Sequence, residues 1–177
     1  KKDSKYKLLI IKGSGNSFCS GGNIKGMDNK TKKKSKANTI KNLIKKQNDL
    51  TGAIYSLKIP TIALVTGAVA GAGFSIALAC DFRIGNKNSF FVSNYSRIGL
   101  SGDYGISFFL TRLFGESKAK EIMLFNKRIY ADEAYNCGLL NFLYKNNFEK
   151  KVKEICEEII SLSPFALAKI KENVSMA

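Results

Sequence analysis

The sequence predicts an α/β fold, a single domain in which parallel strands are joined by helical crossovers. Short apolar runs bounded by glycine or proline recur along the chain, and segments with helical spacing alternate with them. No internal repeat or long linker divides the 177 residues. A chain of that length buries a sizeable core. With 45% hydrophobic and 24% charged residues, it has the balance of an ordinary globular protein.

The chain opens Lys1-Lys2-Asp3-Ser4-Lys5 and passes into a strand candidate over residues 6–11. It therefore reads as lacking a cleavable signal, and, without an initiator Met, as a segment of something longer. Gly13-Ser-Gly-Asn-Ser17 breaks the strand. Between Asn29 and Lys36, five lysines in eight residues read as a solvated, mobile loop. Ile40, Leu43, Ile44, Leu50, Ile54 and Leu57 then follow a roughly helical period that Pro60 ends.

Thr61-Ile-Ala-Leu-Val65 is a second buried strand. Gly67-Ala-Val-Ala-Gly-Ala-Gly73 is a turn, and a helix of small residues runs from Phe74 to Cys80. The apolar stretch from Ile59 to Cys80 is not read as a membrane span, because Pro60, Gly67, Gly71 and Gly73 interrupt it and Asp81-Phe-Arg83 follows at once. Residues 81–84 and 89–92 are further strands. Two helices over 106–113 and 117–126 are separated by Gly115 as a stop. Ala131 begins another helix, with Asp132 and Glu133 favoured in its first turn by the helix dipole. Residues 138–144 return as a strand, 148–161 form an amphipathic helix, and Ser163-Pro164 opens the last helix.

The chain has no His and no Trp. That removes Ser-His-Asp triads, Cys-His dyads and His-ligated zinc together. Cys19, Cys80, Cys137 and Cys156 are widely spaced without a metal pattern and read as buried thiols in a reducing compartment. Chemistry is left to carboxylates, Tyr, Ser, Lys or backbone groups. The net charge of +15 fits either a nucleic acid or an anionic ligand such as a CoA phosphate; the scatter of the lysines favours the second.

Two glycine-rich turns, Cys19-Ser-Gly-Gly-Asn-Ile24 and Gly67-Ala-Val-Ala-Gly-Ala-Gly73, each follow a strand and lead towards a helix. Glycines let backbone N–H groups approach a ligand, and a helix start adds partial positive charge. Two such N–H groups on one carbonyl oxygen make an oxyanion hole, which contributes roughly 3 kcal/mol to a transition state. The plainer reading is that the glycines only permit tight turns.

Taken together, Phe18-Cys-Ser-Gly-Gly-Asn-Ile-Lys25 and the run from Pro60 to Asp81 resemble the two signatures of the enoyl-CoA hydratase/isomerase (crotonase) family. The resemblance continues through Gly99-Leu-Ser-Gly-Asp-Tyr-Gly105, Leu110-Thr-Arg-Leu-Phe-Gly115 and Ala131 to Leu139. It implies a spiral of β-β-α units over residues 1–177 as one domain, truncated at the N-terminus and in the C-terminal helices. It also implies an oxyanion hole from the N–H groups of Gly22 and Ala72, flanked by Gly71 and Gly73. Ser20, Gly21, Asn23, Ile24 and Lys25 would line the CoA adenine pocket, where Lys25 could meet a phosphate or be a solvated surface lysine.

The two glutamates with which hydratases of the family position water match Ser75 and Tyr95 here. Neither serves as a general base near neutral pH. The resemblance points instead to Asp103, in a place where family isomerases often hold an acid, as the base that shifts a double bond along an enoyl-CoA. Without the resemblance, Asp103 would read as a helix N-cap for a segment starting near Tyr104. Tyr95 either donates a hydrogen bond in the acyl pocket or fills space, and Asp81 and Arg83 read as structural.

Alternatives are hydratase chemistry, a dehalogenase with Asp103 as nucleophile, or a non-catalytic member that binds CoA or binds RNA through Lys41, Lys45 and Lys46. The family likeness further implies fatty-acid metabolism, a homotrimer or hexamer, and no membrane insertion. It implies a cytoplasmic location, or a mitochondrial one in a eukaryote. No cofactor is implied, since coenzyme A enters as part of the substrate.

Overall fold

A computed structural model describes residues 5–23 and 36–177; the lysine-rich loop expected over 29–36 falls almost wholly outside them. The first half runs β1 (Leu9–Lys12), α1 (Lys36–Gln47), a π turn (Asn48–Gly52) and α2 (Ala53–Tyr55). Next come β2 (Thr61–Val65), β3 (Ala68–Ala70) and α3 (Ala72–Ala79), then β4 (Phe82–Asn86), β5 (Phe90–Val92) and a short 3-10 turn (Ser96–Ile98). The remainder is α4 (Ile106–Phe125), β6 (Ile129–Tyr130), α5 (Ala131–Asn136), β7 (Phe142–Tyr144), α6 (Phe148–Ser161) and α7 (Pro164–Met176).

Every residue of β2 is buried. A strand covered on both faces has no polar side to show, hence its unbroken apolar sequence. It lies inside a parallel sheet ordered β1-β2-β4-β7, in register Ile10 to Ile62 and Leu64 to Ile84. Alternate residues feed two cores. Ala63 and Val65 pack with Phe74, Phe91, Ile106 and Leu110, whereas Ile62 and Leu64 pack with Ile84 beneath Val152, Ile155 and Ile159 of α6.

A second sheet, ordered β3-β5-β6, departs from expectation in two ways. The glycine-rich stretch after β2 is not only a turn, because Ala68 to Ala70 pair in parallel with Phe90 to Val92. Three small residues between glycines give no periodicity to read, and only the partner strand makes them a strand. Also, β6 runs antiparallel to β5, so the strands are not all parallel. The alternation β2-β3-α3 and β4-β5-α4 is nevertheless the β-β-α spiral.

Other differences have local causes. The first strand starts at Leu9, where pairing with Thr61 begins; Tyr6 is exposed. Gly115, at φ +76, ψ 172, by contrast divides α4 into two helical arms at the expected stop. On α1, Ile40, Leu43 and Ile44 are exposed despite their helical spacing. Cys80 is buried but Cys19, Cys137 and Cys156 are only partly so, and all four are free thiols. Among the described residues, no helix is long and apolar enough to cross a membrane.

Two polar ties join the helices to the sheet. The Asp81 carboxylate accepts from the Thr61 N–H at 2.7 Å and hydroxyl at 2.9 Å, and it pairs with Lys171 of α7 at 2.5 Å. Arg83 is buried and donates to the carbonyls of Leu139 at 2.7 Å and Cys80 at 2.9 Å and to Asn141 Oδ1 at 3.0 Å. Burial brings its guanidinium down to about 10, so it stays charged at neutral pH. It neutralises the carbonyl end of α3. Arg83→Met should lower unfolding stability by on the order of 3 kcal/mol, read from the denaturant midpoint, because it strands buried carbonyls.

Candidate active site

The two glycine bends are hydrogen-bonded to each other. Cys19 forms an isolated parallel bridge with Val69: its N–H donates to the Ala68 carbonyl at 3.2 Å and its carbonyl accepts from the Ala70 N–H at 2.9 Å. Each chain then turns at a positive φ, +94° at Gly21 and +52° at Gly71, conformations that glycine adopts without strain. The bends touch there. A β-carbon on Gly21 would lie 3.1 Å from the Ala70 carbonyl oxygen and 3.7 Å from Gly71 Cα. One on Gly73 would lie 2.5 Å from Cys19 Cβ and 2.6 Å from the Cys19 carbonyl oxygen. These glycines permit close approach of two backbones, which a tight turn alone does not need.

Gly71 is the N-cap of α3 and no side chain caps it. Ala72 is the first helical residue, so its N–H has no partner within the helix. Among the described residues, no backbone acceptor meets the N–H of Ala72 or of Gly22. Gly22 is exposed, as are Ser20 and Asn23. Ile24 and Lys25 lie outside the described residues. Lys41, Lys45 and Lys46 are exposed on α1.

Asp103 sits in a turn between β5 and α4 with a concentration of left-handed backbone: φ is +107° at Gly102, +50° at Tyr104 and +80° at Gly105. It is not the helix cap. The first residue of α4 is Ile106, its N-cap is Gly105, and no side chain caps it. One oxygen of the Asp103 carboxylate is bonded elsewhere: the Tyr95 phenol donates to Oδ1 at 2.5 Å. The Ser75 hydroxyl donates to the Asp103 backbone carbonyl at 3.0 Å. Ser75 is fully buried and Tyr95 nearly so.

Burial, and then the bond to Asp103, hold the Tyr95 phenol well above its ordinary range, against an opposing pull from Ser75. A phenol in that state remains protonated and remains a donor. Tyr95 is therefore more than a space filler, and Ser75, for which no role was expected, holds the same loop. The two residues that the family likeness matched to hydratase glutamates both bind Asp103. Nothing in their spacing signals this, since Ser75 and Asp103 are 28 residues apart.

Comparisons with known proteins bear on the fold and the family. A family model described as Enoyl-CoA hydratase/isomerase matches residues 1–177. The chain is similar to a Bacillus subtilis (strain 168) protein named as an enoyl-CoA hydratase/isomerase, at 30% identity over 95% of this chain and 64% of that one. It is similar to the trans-2-decenoyl-[acyl-carrier-protein] isomerase of Streptococcus mutans, at 29% identity over 91% of this chain and 60% of the other. A crystal structure of an enoyl-CoA hydratase from Polaromonas sp. JS666 superposes with a TM-score of 0.87 at 33% identity, covering 96% of this chain and 65% of that one. The chain spans less than two thirds of each of these proteins. Fold, paired glycine bends and family model converge, and the chain belongs to the enoyl-CoA hydratase/isomerase family.

Proposed function

We propose that this chain carries an isomerase site that moves a double bond along an enoyl-CoA. Asp103 is the base, and the N–H groups of Gly22 and Ala72 hold the thioester oxygen. The observation that supports this most directly is the bond from Ser75 to Asp103. Ser75 lies three residues along α3 from Ala72, about 5 Å further along the helix axis. A carboxylate-bearing loop is thereby fixed beside a helix start that faces two glycine bends. Ser20 and Asn23, exposed on the first bend, and the half-buried Gly21 between them are where the CoA moiety would run.

The reaction needs one base on one face. Asp103 removes a proton from the carbon between the thioester and the double bond of a 3-enoyl-CoA. The C–H electron pair moves into a dienolate whose charge rests on the thioester oxygen, where the two amides stabilise it. Asp103 then returns the proton two carbons further out, the charge collapses, and a conjugated 2-enoyl-CoA remains. No atom or electron is gained or lost.

The test is an ultraviolet screen of CoA thioesters. A rise in conjugated absorbance with 3-enoyl-CoA is expected. If 2-enoyl-CoA instead loses absorbance as water adds, while 3-enoyl-CoA is inert, the site is a hydratase and the isomerase reading fails.

A further inference from the structure

Tyr95 is held more firmly than a pocket-lining side chain requires. The chain reverses at Asn94, at φ +61. Before it, the fully buried Ser93 hydroxyl lies 2.6 Å from Asn126 Oδ1 and 3.1 Å from the Ile122 carbonyl. After it, the Tyr95 carbonyl accepts from the N–H groups of Ile98 and Leu100, both at 3.0 Å. The residue is only 4% exposed, and its hydroxyl ends on one particular oxygen of Asp103.

We infer that Tyr95, backed by Ser75, is a positioning residue that ties down Oδ1 of Asp103 and leaves Oδ2 as the one proton-carrying oxygen. This rests on the reading of Asp103 as the base. A carboxylate with both oxygens free rotates about its Cβ–Cγ bond and aims at different points as it does so. Here the phenol fixes one oxygen and the Ser75 hydroxyl fixes the backbone behind it. Among the described residues, no donor meets Oδ2 in the hydrogen-bonding pattern of Asp103. An ionised carboxylate only accepts, so the phenol supplies the hydrogen. The proton collected on Oδ2 then stays aimed at the face of the dienolate it left, and returns before water replaces it.

Tyr95→Phe keeps the ring and removes only the tie. With 3-enoyl-CoA, it should lower kcat roughly 10- to 100-fold, the effect of slightly misaiming a reacting group. KM should move by less than about twofold, because the lost contact is not to substrate. In D2O the variant should incorporate more deuterium per product formed, since a swinging carboxylic acid exchanges with solvent before it delivers. Ser75→Ala, which leaves the phenol in place, should raise deuterium uptake to a smaller degree and serves if Tyr95→Phe folds poorly. Wild-type kcat and wild-type deuterium content in the folded variants would overturn the inference, as would a loss confined to KM. Failure of the underlying reading looks different: a fully active Asp103→Asn removes Asp103 as the base, whereas a dead Asp103→Asn beside a fully active Tyr95→Phe removes only the role of Tyr95.

Discussion

Asp103→Asn is expected to slow the isomerisation of 3-enoyl-CoA by roughly 10²- to 10⁴-fold, the range for loss of a positioned acid-base group. The substitution is close to isosteric. An asparagine carbonyl still accepts from the Tyr95 phenol, so the buried hydroxyl keeps its partner and the turn keeps its anchor. The side-chain amide has no basic site near neutral pH, so the proton has no carrier. On the proposed mechanism the backbone amides, not Asp103, hold the thioester oxygen, so affinity for the 2-enoyl-CoA product should stay within a few-fold, measured by equilibrium titration. Lost turnover with retained binding is the signature of a group that acts in the transition state. Undiminished turnover would place the base elsewhere and remove the mechanism.

Gly73→Ala should damage the proposed oxyanion hole without touching its donors, the N–H groups of Gly22 and Ala72. The new methyl would overlap the Cys19 side chain and, more seriously, the Cys19 carbonyl oxygen, 2.6 Å away. A flexible side chain can yield, but the Cys19 carbonyl is bonded to the Ala70 N–H and cannot move without opening the contact between the bends. Overpacking of this kind costs about 1–3 kcal/mol of stability. Displacing one oxyanion donor costs roughly 10²- to 10³-fold in kcat. Both losses are expected together, from thermal unfolding and from initial rates. Gly15→Ala is the control: nothing lies within 4 Å of the β-carbon it would add, and both readouts should remain at the wild-type level. If Gly73→Ala melts lower but turns over normally, the glycines serve folding alone.

The resemblance led to Asp103 from its place in the Gly102–Gly105 turn. It left open whether the residue caps a helix, since Asp is favoured at both kinds of position. The decision came from geometry: α4 begins three residues later behind Gly105, and Oδ1 of Asp103 accepts from the Tyr95 phenol rather than from a helical N–H. Arg83 shows the same division. Its structural character was legible where a helix ends and a strand begins, but that carbonyls rather than a carboxylate surround the buried guanidinium was not.

By itself the sequence determined what acts over a few residues. The continuous apolar run of β2, the i, i+3, i+4 stripe of α6, the Ser163-Pro164 start of α7 and the Gly115 break all appear where local pattern puts them. Tertiary structure alone decided that Ala68 to Ala70 form a strand, that β6 runs antiparallel, and that Ser75 and Tyr95 converge on Asp103. The physical reason is range. Steric preference and hydrophobic period are properties of neighbouring residues, whereas a strand pairing or a hydrogen bond between distant residues exists only once the whole chain has closed and supplied the partner.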